Sequence, residues 1–319
     1  MILPSEICVL ITYDEYYTEI FNTVLPNISN YCELHGYSLI THKQEEITNG
    51  RNSQWQKIKL SLDILKKNNY KWLFFMDVDC LFMNSTIKLE TIIDDNYSFI
   101  VPAHNMVPVD TPIKNPIGTD CVITSQFLVK NNQTGIEILE DIWEAKEWPV
   151  GLDINTFDHE GRQARITIDK PKFKQHVKVV EEKTLNCFWY INSPFMVIKN
   201  KLINNHCWEP GDFIVHVTGY KKDERIKLLK DLNYFSGGLL SNWEYNTTVI
   251  TFSPLIDLGK TKIIICDENH NPLINYSFND LNYKINYTLF IDSSLNNRKL
   301  IIKGFDGDDK LISIKMLHT

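Results

Sequence analysis

The chain has 319 residues, 43% of them hydrophobic, which is enough to bury the core of one large domain or of one large and one small domain. Its formal net charge of -7 and isoelectric point near 5.7 lack the basic excess of nucleic-acid-binding proteins, so nucleic acid is not expected as a partner. No apolar run approaches the roughly 20 residues of a membrane span and no signal peptide is recognisable, so we expect a cytoplasmic protein without a membrane span.

The start of the chain predicts a strand, a helix and a second strand. The continuous apolar run "ICVLITY" (Ile7–Tyr13) suits a central strand, because such strands are buried on both faces. The segment "PNISNYCELHG" predicts a helix with Pro26 near its first turn and Gly36 ending it in a left-handed conformation. The run "YSLIT" that follows predicts the next strand.

A second strand–helix alternation follows. In "NSQWQKIKLSLDILKKNN", Trp55, Ile58, Leu62 and Leu65 recur at helical spacing after an Asn/Ser cap, which predicts an amphipathic helix. The apolar run "WLFFMD" then predicts a strand that ends at Asp77. This alternation predicts an α/β fold, in which helices flank a mainly parallel sheet.

The pattern changes near Tyr245 to short β-type runs separated by turn signals such as "DENHNP" and "DGDD". The runs are "TTVITF", "TKIIIC", "LINYSF", "YKINYTLFI", "RKLIIKGF" and "KLISIKM". We therefore predict two domains, an α/β domain at 1–243 and a small β-sandwich-like accessory domain at 244–319.

Two carboxylates in "WLFFMDVDCLFMN" are the first candidate site residues. Asp77 closes the apolar strand and Asp79 lies in the turn after it, where open α/β sheets place their ligands. Two hard oxygen ligands this close suit Mg²⁺ or Mn²⁺, although a capping or salt-bridging pair would give the same pattern. The seven cysteines have no C-x-x-C spacing, which favours reduced, buried thiols over a zinc or redox site.

A set of motifs over about two-thirds of the chain resembles a known enzyme family. The motifs, in chain order, are "NYCELHGYSLI", "WQKIKLSLDIL", "WLFFMDVDCLFMN", "TSQFLVKNNQTGIEILEDIW", "KTLNCFW" and "GDFIVHVTGY". They are similar to the galactosyl-, xylosyl- and mannosyltransferases of glycosyltransferase family thirty-four, which includes fungal α-galactosyltransferases and plant xyloglucan xylosyltransferases. The resemblance implies a GT-A fold, a nucleotide-sugar donor, Mn²⁺ and transfer with retention of anomeric configuration.

The resemblance also implies roles for individual residues. Asp77 and Asp79 match the D-x-D that holds ribose and metal, and His216 matches the histidine that completes the metal site. Gly219 matches the glycine that lets the backbone approach the diphosphate, and Lys57 matches a basic residue facing the nucleotide. By themselves, a strand histidine is more often a core residue and a helix lysine is often solvated.

Two further donor contacts are expected, one from the resemblance and one from the charge of the leaving diphosphate. Tyr13, just past the first strand, lies where such enzymes stack on or border the base, although ordinary packing would also explain it. Lys221 or Lys222 would add a charge-assisted contact to the diphosphate, and of the two we predict that Lys222 binds the nucleotide.

The sugar-contacting residues are less well defined, because the sequence departs from the family here. In "ITSQFLVKN", Gln126 replaces the glycine of the usual N-S-G, and in "DHEGRQAR" the register of the acidic residue is open. Asp120, Gln126, Asp158 and Glu160 are candidates for binding sugar hydroxyls or for stabilising positive charge at the anomeric carbon.

The expected function is metal-dependent, retaining transfer of a hexose or pentose from a nucleotide sugar to a glycan or glycoconjugate acceptor. The donors expected first are UDP-galactose, UDP-xylose and UDP-glucose, followed by GDP-mannose. The expected cation is Mn²⁺ or Mg²⁺. The alternative is a catalytically silent carbohydrate-binding or scaffold protein with the same fold. Another enzyme class to consider is a metal-dependent nucleotidyltransferase or phosphodiesterase. Such an enzyme would need more phosphate-binding glycines or additional metal-binding carboxylates, which we do not find in the sequence.

Overall fold

A computed structural model describes most of the chain. It covers residues 2–44, 53–67, 69–104, 121–145, 159–189, 208, 211–234, 240–246, 249–254, 260–267, 269–279, 287–290, 299–305 and 311–318. In chain order, the strands of the first part are β1 (Ile7–Tyr13), β2 (Ser38–Lys43), β3 (Trp72–Asp77), β4 (Cys80–Phe82), β5 (Phe99–His104), β6 (Cys121–Val122), β7 (Gln126–Lys130), β8 (Val177–Val180), β9 (Cys187–Phe188) and β10 (Ile214–His216).

Seven helices accompany these strands in the described part of the chain. They are α1 (Thr18–His35), α2 (Gln56–Lys67), α3 (Gln133–Glu144), α4 (His159–Ile168), α5 (Pro171–Lys174), α6 (Glu182–Leu185) and α7 (Lys222–Tyr234). Short 3-10 turns lie at Pro4–Glu6, Ser53–Trp55 and Leu89–Thr91. Among the described residues, no helix combines the length and the apolar character that a membrane span requires.

The main sheet has seven strands in the order β2-β1-β3-β7-β5-β6, and β8 pairs with β5. Five of them, β1, β2, β3, β5 and β8, run in one direction, whereas β6 and β7 run in the other. The predicted α/β class, with a mainly parallel sheet between helices, is therefore confirmed.

Alternate side chains of the central strands pack into two separate hydrophobic cores on opposite faces of the sheet. In β3, Trp72, Phe74 and Met76 join the core that contains residues of α1 and α7. Leu73 and Phe75 join the core on the opposite face, which contains residues of α2 and α3. This two-faced burial is the reason why the strand reads as a continuous apolar run.

Helix α1 begins earlier than the sequence predicted. It starts at Thr18, so Pro26 lies inside the helix rather than in its first turn. The preceding turns contribute Ile20, Phe21 and Val24 to the core, and this burial outweighs the local cost of an internal proline. The predicted end is confirmed, since Gly36 caps the helix at φ 77°.

The described residues of the C-terminal part form seven strands in two antiparallel sheets. They are β11 (Leu240–Asn246), β12 (Val249–Pro254), β13 (Thr261–Cys266), β14 (Pro272–Phe278), β15 (Tyr287–Phe290), β16 (Lys299–Phe305) and β17 (Leu311–His318). The sheets have the orders β11-β12-β15 and β14-β13-β16-β17. Each β-type run of the sequence overlaps one of the strands β12 to β17, β11 precedes them, and the division into domains at 243 stays a prediction.

Candidate active site

A cavity of about 600 Å³ opens at the carboxyl ends of β1 and β3, the edge where open α/β sheets bind ligands. Its walls come from the loops after these strands, the start of α2, the β6–β7 segment and the chain between β10 and α7. Six predicted site residues line it, namely Tyr13, Lys57, Asp77, Asp79, His216 and Gly219.

The remaining predicted residues are either outside the described cavity lining or not described. Lys222 is outside the cavity lining, at the start of α7, with its Nζ 5.1 Å from the centre of the Tyr16 ring. Asp120 and Asp158 are outside the described residues, and Glu160 belongs to α4 without a described side chain.

A small second sheet brings Asp79 and His216 together. Strand β10 pairs antiparallel with β4, so that His216 lies opposite Cys80, and the Val217 N–H donates to the Asp79 carbonyl at 2.9 Å. The two buried side chains meet with His216 Nε2 3.2 Å from Asp79 Oδ1. The other ring nitrogen, Nδ1, is 3.0 Å from Oδ1 of Asn186.

Arg225 of α7 contacts the second oxygen of the same carboxylate. Its Nη1 is 3.1 Å from Asp79 Oδ2, and it also donates to the Tyr17 hydroxyl at 3.3 Å and to the Tyr220 carbonyl at 3.0 Å. Burial opposes ionisation of Asp79, but the adjacent His216 and Arg225 outweigh it and hold the pKa of this carboxyl below its ordinary value. Asp79 is therefore ionised at neutral pH.

Asp77 is held by a different cation. Lys57 Nζ lies 3.0 Å from Asp77 Oδ1, and the lysine side chain is 6% exposed. The Asp77 N–H donates to the Ser125 carbonyl at 2.8 Å, which ties the end of β3 to the segment before β7. The two carboxylates of the D-x-D thus have separate cationic partners, although both line the cavity.

Three potential metal ligands lie within 4.8 Å of one another, from Asp79, Cys80 and His216. The carboxylate oxygen and the imidazole nitrogen suit a divalent cation such as Mn²⁺. Burial raises the pKa of the Cys80 thiol well above its ordinary value, so the sulfur stays protonated and is a poor ligand for a hard metal. The site chemistry fits the predicted cation through Asp79 and His216, and Asp77 is not in this group.

Gln126 faces the interior rather than the cavity. It is fully buried, and its Nε2 lies 2.9 Å from the Cys80 Sγ, beneath the loop that carries Asp79. Its side chain therefore supports the base of the site in this structure instead of lining the space where a sugar would bind.

Gly219 and Tyr13, two predicted nucleotide contacts, both line the cavity. Gly219 follows β10 with φ 81°, a left-handed conformation that side chains disfavour, so a glycine is required there. The Tyr13 ring stacks on Phe21, with centroids 3.9 Å apart, and also lines the cavity.

Sequence reasoning missed Arg225, Asn186 and Tyr17. Asn186 carried a signal, because it is a polar residue inside the apolar motif "KTLNCFW". Arg225 lies one helical turn after Lys222, among several charged residues of α7, and its spacing did not distinguish it.

Comparisons with known proteins place this geometry in context. No curated protein matches the chain. Among solved structures, a glycosyltransferase involved in the glycosylation of the major capsid of PBCV-1 is 18% identical, with a TM-score of 0.48 over 70% of this chain and 98% of its own. An active-site mutant of LgtC is 12% identical, with a TM-score of 0.42 over 70% and 95% of the two chains. The glycosyltransferase GlyE of Streptococcus pneumoniae is 13% identical, with a TM-score of 0.44 over 70% and 59%.

The family comparison covers the α/β part of the molecule. The family model described as the galactosyl transferase GMA12/MNN10 family matches residues 5–227, which include every described residue of the cavity. The chain belongs to the galactosyl transferase GMA12/MNN10 family, as the resemblance of its motifs predicted.

Proposed function

We propose that this protein is a metal-dependent, retaining glycosyltransferase that moves a hexose or pentose from a nucleotide sugar to a glycan or glycoconjugate acceptor. Family membership supports glycosyl transfer. The observation that carries the finer proposal is the buried Asp79–His216 pair, which faces a cavity that also contains Lys57 and Arg225. UDP-sugars are the proposed donors.

The proposed cation is Mn²⁺ or Mg²⁺, held by Asp79 and His216. Asp77 lines the same cavity and completes the proposed set of metal and ribose ligands. When bound, the cation supplies Lewis-acid stabilisation of the negative charge that develops on the leaving nucleoside diphosphate.

The residues of the chain contribute positive charge and close backbone approach. Arg225 and Lys57 are the cationic side chains that line the cavity, and both are mostly buried, so their interactions with a diphosphate are weakly screened. The Gly219 backbone, without a Cβ, permits close approach of the diphosphate. Lys222, at the start of α7, stays a proposed diphosphate contact, although its Nζ lies over the Tyr16 ring in this structure.

Three carboxylates are proposed for the sugar-binding end of the site. Asp120, Asp158 and Glu160 stay proposed for the sugar hydroxyls and for charge at the anomeric carbon. Helix α4, which carries Glu160, reaches the cavity through Gly161. Retention can proceed by front-face attack or through a covalent intermediate on a carboxylate.

Nucleotide binding with and without metal tests the proposal. Because the diphosphate is held largely through the cation, UDP at about 100 times its dissociation constant should stabilise the protein by roughly 2.7 kcal/mol with Mn²⁺ present. An equal stabilisation in EDTA would contradict the metal dependence.

Matched variants test the catalytic part. Asp79→Asn and His216→Ala should abolish hydrolysis of a UDP-sugar donor, whereas Asp94→Asn, at a carboxylate paired with Lys178 outside the cavity, should leave it unchanged. A wild-type protein that binds UDP with Mn²⁺ but neither hydrolyses nor transfers any UDP-sugar would favour the catalytically silent alternative.

A further inference from the structure

Asn186 is a fully buried polar residue that contacts His216 of the proposed metal site at the ring nitrogen that does not face Asp79. It lies between α6 and β9, and its N–H donates to the Glu182 carbonyl at 2.9 Å, which fixes its backbone. Strand β9 pairs in parallel with β10, so Asn186 is held beside the strand that carries His216. Its Oδ1 lies 3.0 Å from His216 Nδ1.

With the amide oxygen facing the ring, this contact requires a hydrogen on the Nδ1 nitrogen of His216. An amide oxygen only accepts hydrogen bonds, so the Nδ1 of His216 is the donor. An imidazole with one hydrogen, on Nδ1, then has its lone pair on Nε2, which lies 3.2 Å from Asp79 Oδ1. A lone pair and a carboxylate oxygen repel each other unless a proton or a metal cation lies between them.

The opposite orientation of the amide would have the opposite effect. With the Asn186 NH₂ group against Nδ1, the hydrogen would move to Nε2, which would donate to Asp79 and could not bind a metal. In the structure Nδ2 meets no hydrogen-bond acceptor among the described residues, so the amide has no second partner that fixes it.

We propose that Asn186 is a positioning residue that accepts a hydrogen bond from His216 Nδ1 and thereby presents the Nε2 lone pair to the divalent cation. The inference rests on the proposed function, because the cation is part of it. Such residues behind a metal ligand typically change metal affinity about 10- to 100-fold when replaced.

The test is titration of the full chain with Mn²⁺ alone, following the loss of the free-ion signal by electron paramagnetic resonance. Asn186→Ser is too short to reach Nδ1 and should bind Mn²⁺ about 10- to 100-fold more weakly than wild type. Asn186→Asp keeps an acceptor in the same position and should keep an affinity at least equal to that of the wild type.

Asn27 provides the matched control. It is also a buried asparagine, but its amide bonds both backbone groups of Phe82, on β4, and does not touch the site. Asn27→Ser should lower stability without changing Mn²⁺ affinity by more than about threefold, a change equivalent to roughly 0.7 kcal/mol.

The possible outcomes separate this inference from the proposal beneath it. Wild-type affinity in folded Asn186→Ser, or a 10-fold or larger loss in Asn186→Asp, would overturn the role of Asn186 while leaving the metal site intact. If Asn186→Ser does not fold, the Asn186→Asp measurement decides alone, because a carboxylate can only accept. Absence of Mn²⁺ binding by the wild-type protein would overturn the metal site together with this inference.

Discussion

Replacing Arg225 by methionine should strongly destabilise the metal-free protein. The Arg225 and Asp79 side chains are 10% and 8% exposed, so the substitution leaves a buried carboxylate whose remaining charge partner among the described residues is His216. Removing one member of a buried ion pair costs about 3–5 kcal/mol, and methionine retains the apolar part of the side chain, so this cost reflects mainly the lost charge.

The loss should depend on the carboxylate. In the Asp79→Asn background, Arg225→Met should cost about 2 kcal/mol less than in wild type, since the uncompensated charge is no longer there. Urea unfolding in EDTA, followed by the fluorescence of the seven tryptophans, measures all four proteins of this cycle.

Manganese provides a second test of the same reasoning. A cation bound to Asp79 replaces the missing guanidinium charge, so Mn²⁺ should stabilise Arg225→Met more than it stabilises the wild type. The control is Lys178→Met, whose pair with Asp94 is 36% and 29% exposed and should contribute about 0–1 kcal/mol. A loss below about 1 kcal/mol for Arg225→Met would refute the buried ion pair.

Three other predictions follow from separate features. Gly219→Ala should cost about 1–2 kcal/mol in urea unfolding, because φ 81° is strained for alanine, and an unchanged midpoint would contradict that conformation. Burial raises the pKa of the Cys8 thiol to about 12 and raises that of Cys32, so a disulfide reagent should modify both only on unfolding, and rapid modification of the native protein would contradict their burial. Truncation before residue 244 should retain donor hydrolysis but alter transfer to a glycan acceptor. Loss of both activities in a folded truncation would show that the tail helps to build the donor site.

Three tyrosines of the C-terminal part are relevant to the truncation prediction. Tyr276 is partly buried in β14, Tyr283 lies outside the described residues, and the side chain of Tyr287 is not described. Aromatic residues at alternating strand positions usually face inward, so we expect these tyrosines to pack within the predicted C-terminal domain rather than stack on sugar rings.

The sequence by itself determined the α/β fold and the location of the site. Strand β3 is buried on both faces, so its residues form an unbroken apolar run, and Asp77 marks the point where the strand leaves the sheet. Asp79 follows in the next turn, the motif resemblance added His216 and Gly219, and all three line the same cavity. Such features are local, because they depend on residue type and short spacing.

Tertiary structure alone decided the partners of these residues. The start of α1 depended on burial against the sheet, and the direction of the Gln126 side chain depended on its contact with Cys80. The contacts of Asp79 with Arg225 and of His216 with Asn186 join segments far apart in the chain, brought together by the pairing of β10 with β4 and β9. Charge and hydrogen bonding act through space, so no spacing along the chain could reveal which cation or amide lies beside a given ligand.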